Sequence, residues 1–322
     1  MLTAGAGRGR EFRIYVLDAR LTRAAEASPV CRVADLASAL SDALADEGPI
    51  VAWSQHDLRI VRRAGLPARL VEHCEARWVN ALIDVRRWKN RLYRDRDLQA
   101  LGAADGHTLK AYMKAVGYAV PAALAPGQAA RWLRQVLERL DAADGDYRTL
   151  SARAKRQWHA LLAYNRHDCF GIRAVYERAR RELRLEAAYR QTTYRVRMDE
   201  ASHPIRIGRV HPALDRALGT ARVTRWACIT AYNPQSTRRP ARQNQRCDAA
   251  LKRRLRDLGV RWFPMESRGD RGDWPPELGV LALGVSRSRA ESLGREFNQA
   301  AIVWGNAGGQ AELVWCNRLK HL

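Results

Sequence analysis

Trp226-Ala227-Cys228-Ile229-Thr230-Ala231-Tyr232 carries no charge between two strongly basic segments. Its aromatic and β-branched content reads as a buried strand. Working outward, a long basic helix is expected over Arg242–Leu258, then strands at Val260–Phe263 and Val280–Val285. A helix over Arg287–Phe297 and a strand at Ala300–Trp304 follow, and the chain returns through Glu312–Trp315 after a turn on Gly308-Gly309. Upstream, His211–Leu218 reads as a short helix. Tyr194–Met198 and Ile205–Ile207 alternate around Ala201-Ser202-His203-Pro204, the pattern of a hairpin.

The order predicts a β-α-β-β-α-β core with a leading hairpin, an α+β sandwich of the ferredoxin-like kind over residues 188–322. Composition changes near Arg190, so residues 1–187 are read as a separate domain. There, Phe12–Leu17 predicts a strand, Val33–Leu44 an amphipathic helix, and Ile50–Trp53 a second strand. Helices are expected over Leu58–Ala64, His107–Val116, Gln128–Leu140 and Ser151–Glu186, the last in two pieces broken near Asn165. Trp78–Val85 is a further apolar run. Strands first, then mostly helices, predict an α/β domain.

The charge balance narrows the functional classes. Of 322 residues, 56 are Lys or Arg and 34 are Asp or Glu, a formal +22 with a pI near 10.6. Such an excess attracts polyanions, and the preponderance of Arg suits phosphate forks and base stacking. Nucleic acid, DNA or RNA and single-stranded, is the expected partner; the alternative is genome composition, which raises Arg and Ala together. The excess is denser in residues 188–322, which hold 24 basic against 12 acidic residues. Six scattered cysteines without a C-x-x-C pair argue against zinc and against a disulfide framework. No apolar run approaches the roughly 18 residues of a membrane span, and the amino terminus lacks the apolar core of a signal peptide. A soluble cytoplasmic protein is expected.

Four carboxylates and a phenol are the candidate catalytic groups. Tyr164 and Asp168 lie one turn apart on the expected helix. An Asp there can hold a hard cation through oxygen while the Tyr orients an attacking water; a surface Asp and a half-buried Tyr are the plain alternative. Asp57 follows the Ile50–Trp53 strand, either as a ligand beyond the strand end or as a helix cap. Asp84, ending an apolar run, reads better as a cap. Asp18 follows the first strand in Asp18-Ala19-Arg20, where Arg20 stands in the place of a second carboxylate.

Two resemblances follow from these stretches. Ile50-Val51-Ala52-Trp53-Ser54-Gln55-His56-Asp57, Gly106-His107-Thr108-Leu109-Lys110 and Tyr164–Asp168 resemble motifs of the Tyr-containing DEDD-type exonucleases of RNase H-like fold, over roughly residues 12–186. The resemblance implies 3′-end cleavage of nucleic acid with two magnesium or manganese ions, Asp57 and Asp168 as ligands and Tyr164 positioning water; Asp18 and Asp84 are the further candidate ligands. The family's first-strand Asp-x-Glu is missing, so the domain is expected to be either truncated at its amino end or a degenerate, non-cutting relative. Ile229–Ser236, Asn244, Gly272-Asp273-Trp274-Pro275 and Phe297–Trp304 resemble a bacterial domain family of unknown function. In that part Asn233, Ser236, Asn244 and Gln299 are neutral hydrogen-bonders suited either to a polar pocket or to turns and caps.

Overall fold

The computed structural model describes residues 2–5, 12–15, 48–92, 107–121, 129–272 and 274–316. The chain divides into two compact units, Met1–Arg180 and Arg181–Arg318. Asp18, the Val33–Leu44 helix and Asp273 lie outside the described residues.

In the first unit, β1 (Leu2–Gly5) pairs antiparallel with β2 (Phe12–Tyr15), and β3 (Ile50–Ala52) pairs parallel with β4 (Trp78–Asn80). These two-stranded pairs are not the mixed sheet of an RNase H-like fold, so that expectation is corrected. The reason is visible around β4. The apolar run beginning at Trp78 stays extended for only three residues before Asn80 Oδ1 accepts the Leu82 N–H at 3.1 Å. That bond starts α3 (Ala81–Leu92), and the rest of the run becomes helix. Between β3 and β4 lie α1 (Gln55–Arg62) and α2 (Ala68–Ala76).

Helices supply the remaining packing: α4 (Leu109–Ala115), α5 (Ala129–Asp141) and α6 (Ala152–Arg190). Val136 and Leu140 of α5 close on Ala154, Trp158, Leu161 and Leu162 of α6 in an apolar cluster. The expected break near Asn165 does not occur. Asn165 Nδ2 instead donates back to the Leu161 carbonyl at 3.0 Å, and α6 runs unbroken for 39 residues, about 58 Å at helical rise. Gly171 of α6 leaves room for the Met113 side chain of α4: a Cβ there would stand 2.5 Å from Met113 Sδ.

The second unit is a seven-stranded antiparallel sheet curled as a half-barrel, built from β5 (Thr192–Met198), β6 (Ala201–Ile205), β7 (Arg225–Thr230), β8 (Trp262–Gly269), β9 (Glu277–Leu283), β10 (Ala301–Asn306) and β11 (Glu312–Trp315). The spatial order is β11-β10-β7-β9-β8-β5-β6. Its central four strands, with α8 (Ala241–Asp257) and α9 (Arg287–Glu296), follow the β-α-β-β-α-β sequence predicted. The leading hairpin turns earlier than predicted. Met198 pairs with Ala201, so Asp199 and Glu200 form the turn and His203-Pro204 lie in β6. Asp199 takes the left-handed φ of 53° such a turn calls for.

Alternate residues of the central strands face two cores. Trp226, Cys228, Leu281 and Val303 pack with Leu214 and Leu218 of α7 (Pro212–Thr220) and with the hairpin residues Tyr194 and Val196. Ala227, Ile229, Val280, Ala282 and Ile302 pack with Leu251 and Leu255 of α8 and Leu293 of α9. Burial on both faces is why β7 and β9 read as unbroken apolar runs. No helix among the described residues is long and apolar enough to cross a membrane, and the described cysteines form no disulfide.

Candidate functional site

The first unit gathers the sequence-predicted motifs around α4. Thr108 Oγ1 caps that helix by accepting the Ala111 N–H at 3.3 Å. Lys110 Nζ lies 4.8 Å from the centre of the Tyr164 ring, and Trp53 packs on Tyr112 with centroids 5.6 Å apart. Tyr112 also pairs with His107, its hydroxyl 2.8 Å from Nδ1, and Tyr118 meets His167 Nδ1 at 3.1 Å. Burial pushes the Asp168 carboxyl up to about 6, against the pull of the Lys110 ammonium.

The carboxylates do not behave as a metal set. Asp57 occupies the third position of α1 and closes a capping box: Oδ2 accepts the Ser54 N–H at 3.4 Å, and Ser54 Oγ accepts the His56 N–H at 3.3 Å. Asp84 sits in the first turn of α3, where an acid favours the helix dipole. Lys110 brings a positive charge to the Tyr164–Asp168 face, the opposite of what a divalent ion requires. Among the described residues, no three His, Cys, Asp or Glu side chains are grouped to hold a metal. Among the described residues, then, nothing forms the two-metal site that the exonuclease resemblance implies, and Asp18 lies outside them.

In the second unit, the loop after β7 forms a denser arrangement. Asn233, with φ 46° and ψ 59°, is left-handed, a conformation Asn tolerates better than most residues. Its backbone N–H donates to Asn244 Oδ1 at 2.9 Å, and Asn244 Nδ2 donates to Asn233 Oδ1 at 3.0 Å. The same Oδ1 accepts the Arg239 N–H at 2.9 Å. Asn233 Nδ2 donates to Glu277 Oε1 at 2.7 Å, and Trp274 Nε1 donates to that oxygen at 2.8 Å. Burial raises the Glu277 carboxyl, and these two hydrogen bonds hold it back. The Arg238 guanidinium lies 5.0 Å from the Trp274 ring centre.

The loop is fastened on two further sides. The Ser236 and Tyr189 hydroxyls lie 2.8 Å apart, and burial carries the Tyr189 phenol up to about 12. Gln235 N–H and Nε2 both donate to the Asn298 carbonyl at 3.0 Å, and Gln299 Nε2 donates to the Tyr232 carbonyl at 3.1 Å. Asn298 follows the end of α9 at φ 52°, as a helix-terminating residue does.

The sequence singled out Asn233, Ser236, Asn244 and Gln299, and the structure brings all four to this loop. It gave no role to Glu277, Trp274 and Arg238, which complete the cluster. The available signal was Glu277 standing alone between Pro275-Pro276 and an apolar strand. A second was the pair Asn244 and Asp248, polar residues on the buried face of α8. Residues 229–302 match a protein family of unknown function, DUF3293. No curated protein and no solved structure matches the chain.

Proposed function

We propose that the protein binds nucleic acid through an arginine-rich face of its second unit, without a complete hydrolytic centre of its own. The observation that carries this reading is the outer stripe of α8. Arg242, Arg246, Arg253 and Arg256 are all exposed, and among the described residues no acidic side chain pairs with them. At 3.6 residues per turn they fall within an arc of about 80° and span about 21 Å along the axis. The opposite side of the helix holds the buried Asn244, Asp248, Leu251 and Leu255. The cations that are satisfied internally lie off the stripe: Lys252 pairs with Asp248 at 2.6 Å and Arg254 with Glu296 at 3.0 Å. Arg239, exposed just before α8, extends the stripe. The β7-α8-β8-β9-α9-β10 core that carries it is read as ferredoxin-like.

Anisotropy titration of a labelled single-stranded oligonucleotide, DNA and RNA in parallel, tests the reading. If about five phosphates are neutralised, log affinity falls against log salt with a slope on the order of −3.5 to −4.5. Reversing Arg242 and Arg246 to Glu flattens that slope. Binding absent at low salt, or indifferent to salt, refutes it. The same oligonucleotide incubated with magnesium or manganese reports on hydrolysis: cleavage lost in Asp168→Ala restores the exonuclease reading, and we expect none.

A further inference from the structure

Helices α8 and α9 cover only part of the outer sheet face. They close over β7, β9 and β10, and the cover reaches Trp262 of β8, where Lys252 Nζ lies 5.5 Å from the ring centre. Beyond Trp262 the outward residues of β8, β5 and β6 are open. Tyr194, Val196 and Met198 of β5 belong to the inner core, so Arg195 and Arg197 stand on the outer side, both exposed. By the same alternation Pro204 of β6 and Pro264 of β8 face outward and are exposed. Leu278, at the start of β9, joins them at 45% exposure.

The charge on this floor is one-sided. Its acid, Glu266, lies opposite Arg195 in the β5–β8 register but takes Arg268 as its partner at 3.4 Å. Among the described residues no acidic side chain pairs with Arg195 or Arg197, which stand about 7 Å apart along the strand. The floor also lies well below the α8 stripe. Leu251 and Leu255 point into the core, so the stripe looks away from the sheet, about a helix diameter above it, on the order of 10 Å. A short duplex resting on the stripe is too stiff to bend down over that step. A single strand can pass from ridge to floor.

We propose that the open face of β8, β5 and β6 is the floor of a groove beside α8 that takes a single strand of nucleic acid, with Arg195 and Arg197 on phosphates and Pro264 and Leu278 against bases. This rests on the nucleic-acid reading above and extends it. The α8 stripe attracts any polyanion, whereas the floor offers apolar contact between cations, which suits a chain carrying unpaired bases along its phosphates. In a duplex those base faces are stacked away. No bond is made or broken; the groove selects for strandedness.

One labelled oligonucleotide is titrated as a single strand and annealed to its complement. The duplex carries twice the charge per unit length, so charge alone favours it; the wild-type protein is expected to bind the single strand more tightly. In the double variant Arg195→Gln, Arg197→Gln, single-strand affinity is expected to fall by about tenfold. Its salt slope should become shallower by about 1.4, two phosphates at about 0.7 each, and duplex affinity should stay unchanged. Tighter wild-type binding of the duplex, an unaffected single strand in the double variant, or equal loss for both forms overturns the groove and leaves salt-dependent binding on α8 standing. Polyglutamate competing as well as the oligonucleotide at equal charge overturns it in favour of an acidic protein. Absence of salt-dependent binding to either form overturns both readings. The wild-type comparison decides on its own should the variant fail to fold.

Discussion

Replacing Asn244 by Ala removes the centre of the loop network, and the structure sets the size of the effect. Asn244 is 5% exposed. Its side chain accepts the Asn233 N–H at 2.9 Å and donates to Asn233 Oδ1 at 3.0 Å and to the Arg239 carbonyl at 3.3 Å. At about 1 kcal/mol net for each hydrogen bond, the loss is about 3 kcal/mol. Much of it comes from the Asn233 N–H, which is left buried without a partner. Alanine recovers about 0.5 kcal/mol through its helix propensity. The balance, about 2–3 kcal/mol, corresponds to a fall in Tm on the order of 8–12 °C for a unit of this size. Because the chain holds two units, a single melting curve does not isolate the effect. Hydrogen exchange on peptides covering residues 229–245 does, in urea and in water. Asn244→Asp is the control: it keeps an acceptor for the Asn233 N–H but sets a carboxylate oxygen against Asn233 Oδ1, and is expected to destabilise at least as much. Unchanged protection of that segment in Asn244→Ala would refute the network as the support of the loop.

Gly294→Ala sets two effects against each other. The helix gains about 1 kcal/mol in propensity, but the new Cβ runs into Cys316 Sγ and comes within 2.9 Å of Ile302 Cγ2. Overpacking of this kind costs about 1–3 kcal/mol, so net destabilisation is expected in urea titration, and a stabilised variant would show that α9 packs less closely on β10. Asp57→Ala removes the N3 partner of the capping box and an acid from the first turn of α1, and should cost about 0.3–1 kcal/mol in urea titration; unchanged stability would show that the capping box contributes nothing. Asp168 predicts a pH signature. Its folded-state carboxyl is raised from 3.8 to about 6 by burial, so across that window the folded state holds a proton that the unfolded state has released. Stability therefore falls as pH rises from about 4 to about 6. Asp168→Asn should remove that slope and be the more stable protein at neutral pH, measured by urea midpoints across the window.

The division between sequence and structure follows the range of the interactions. Strands β7 and β9 and helices α8 and α9 were legible because burial imprints itself locally: two-sided burial leaves an apolar run, and one-sided helix packing leaves a 3.6-residue period. Order along the chain then implied β-α-β-β-α-β. The charge of the α8 stripe was legible too, since exposure to water constrains its composition. What the sequence could not decide depended on partners far along the chain. Tyr164 and Asp168 read either as metal chemistry or as a plain helix face, and only the fold shows Lys110, more than fifty residues earlier in the sequence, over the Tyr164 ring. Asp57 read equally as ligand or cap, and the fold shows it accepting the Ser54 N–H as a cap does. The continuity of α6 turned on whether Asn165 bonded outward or back to Leu161. Glu277 acquired a role only through Asn233, 44 residues away, and through the indole of Trp274. Residue type alone fixes which groups donate and accept; only the tertiary structure decides which of them meet.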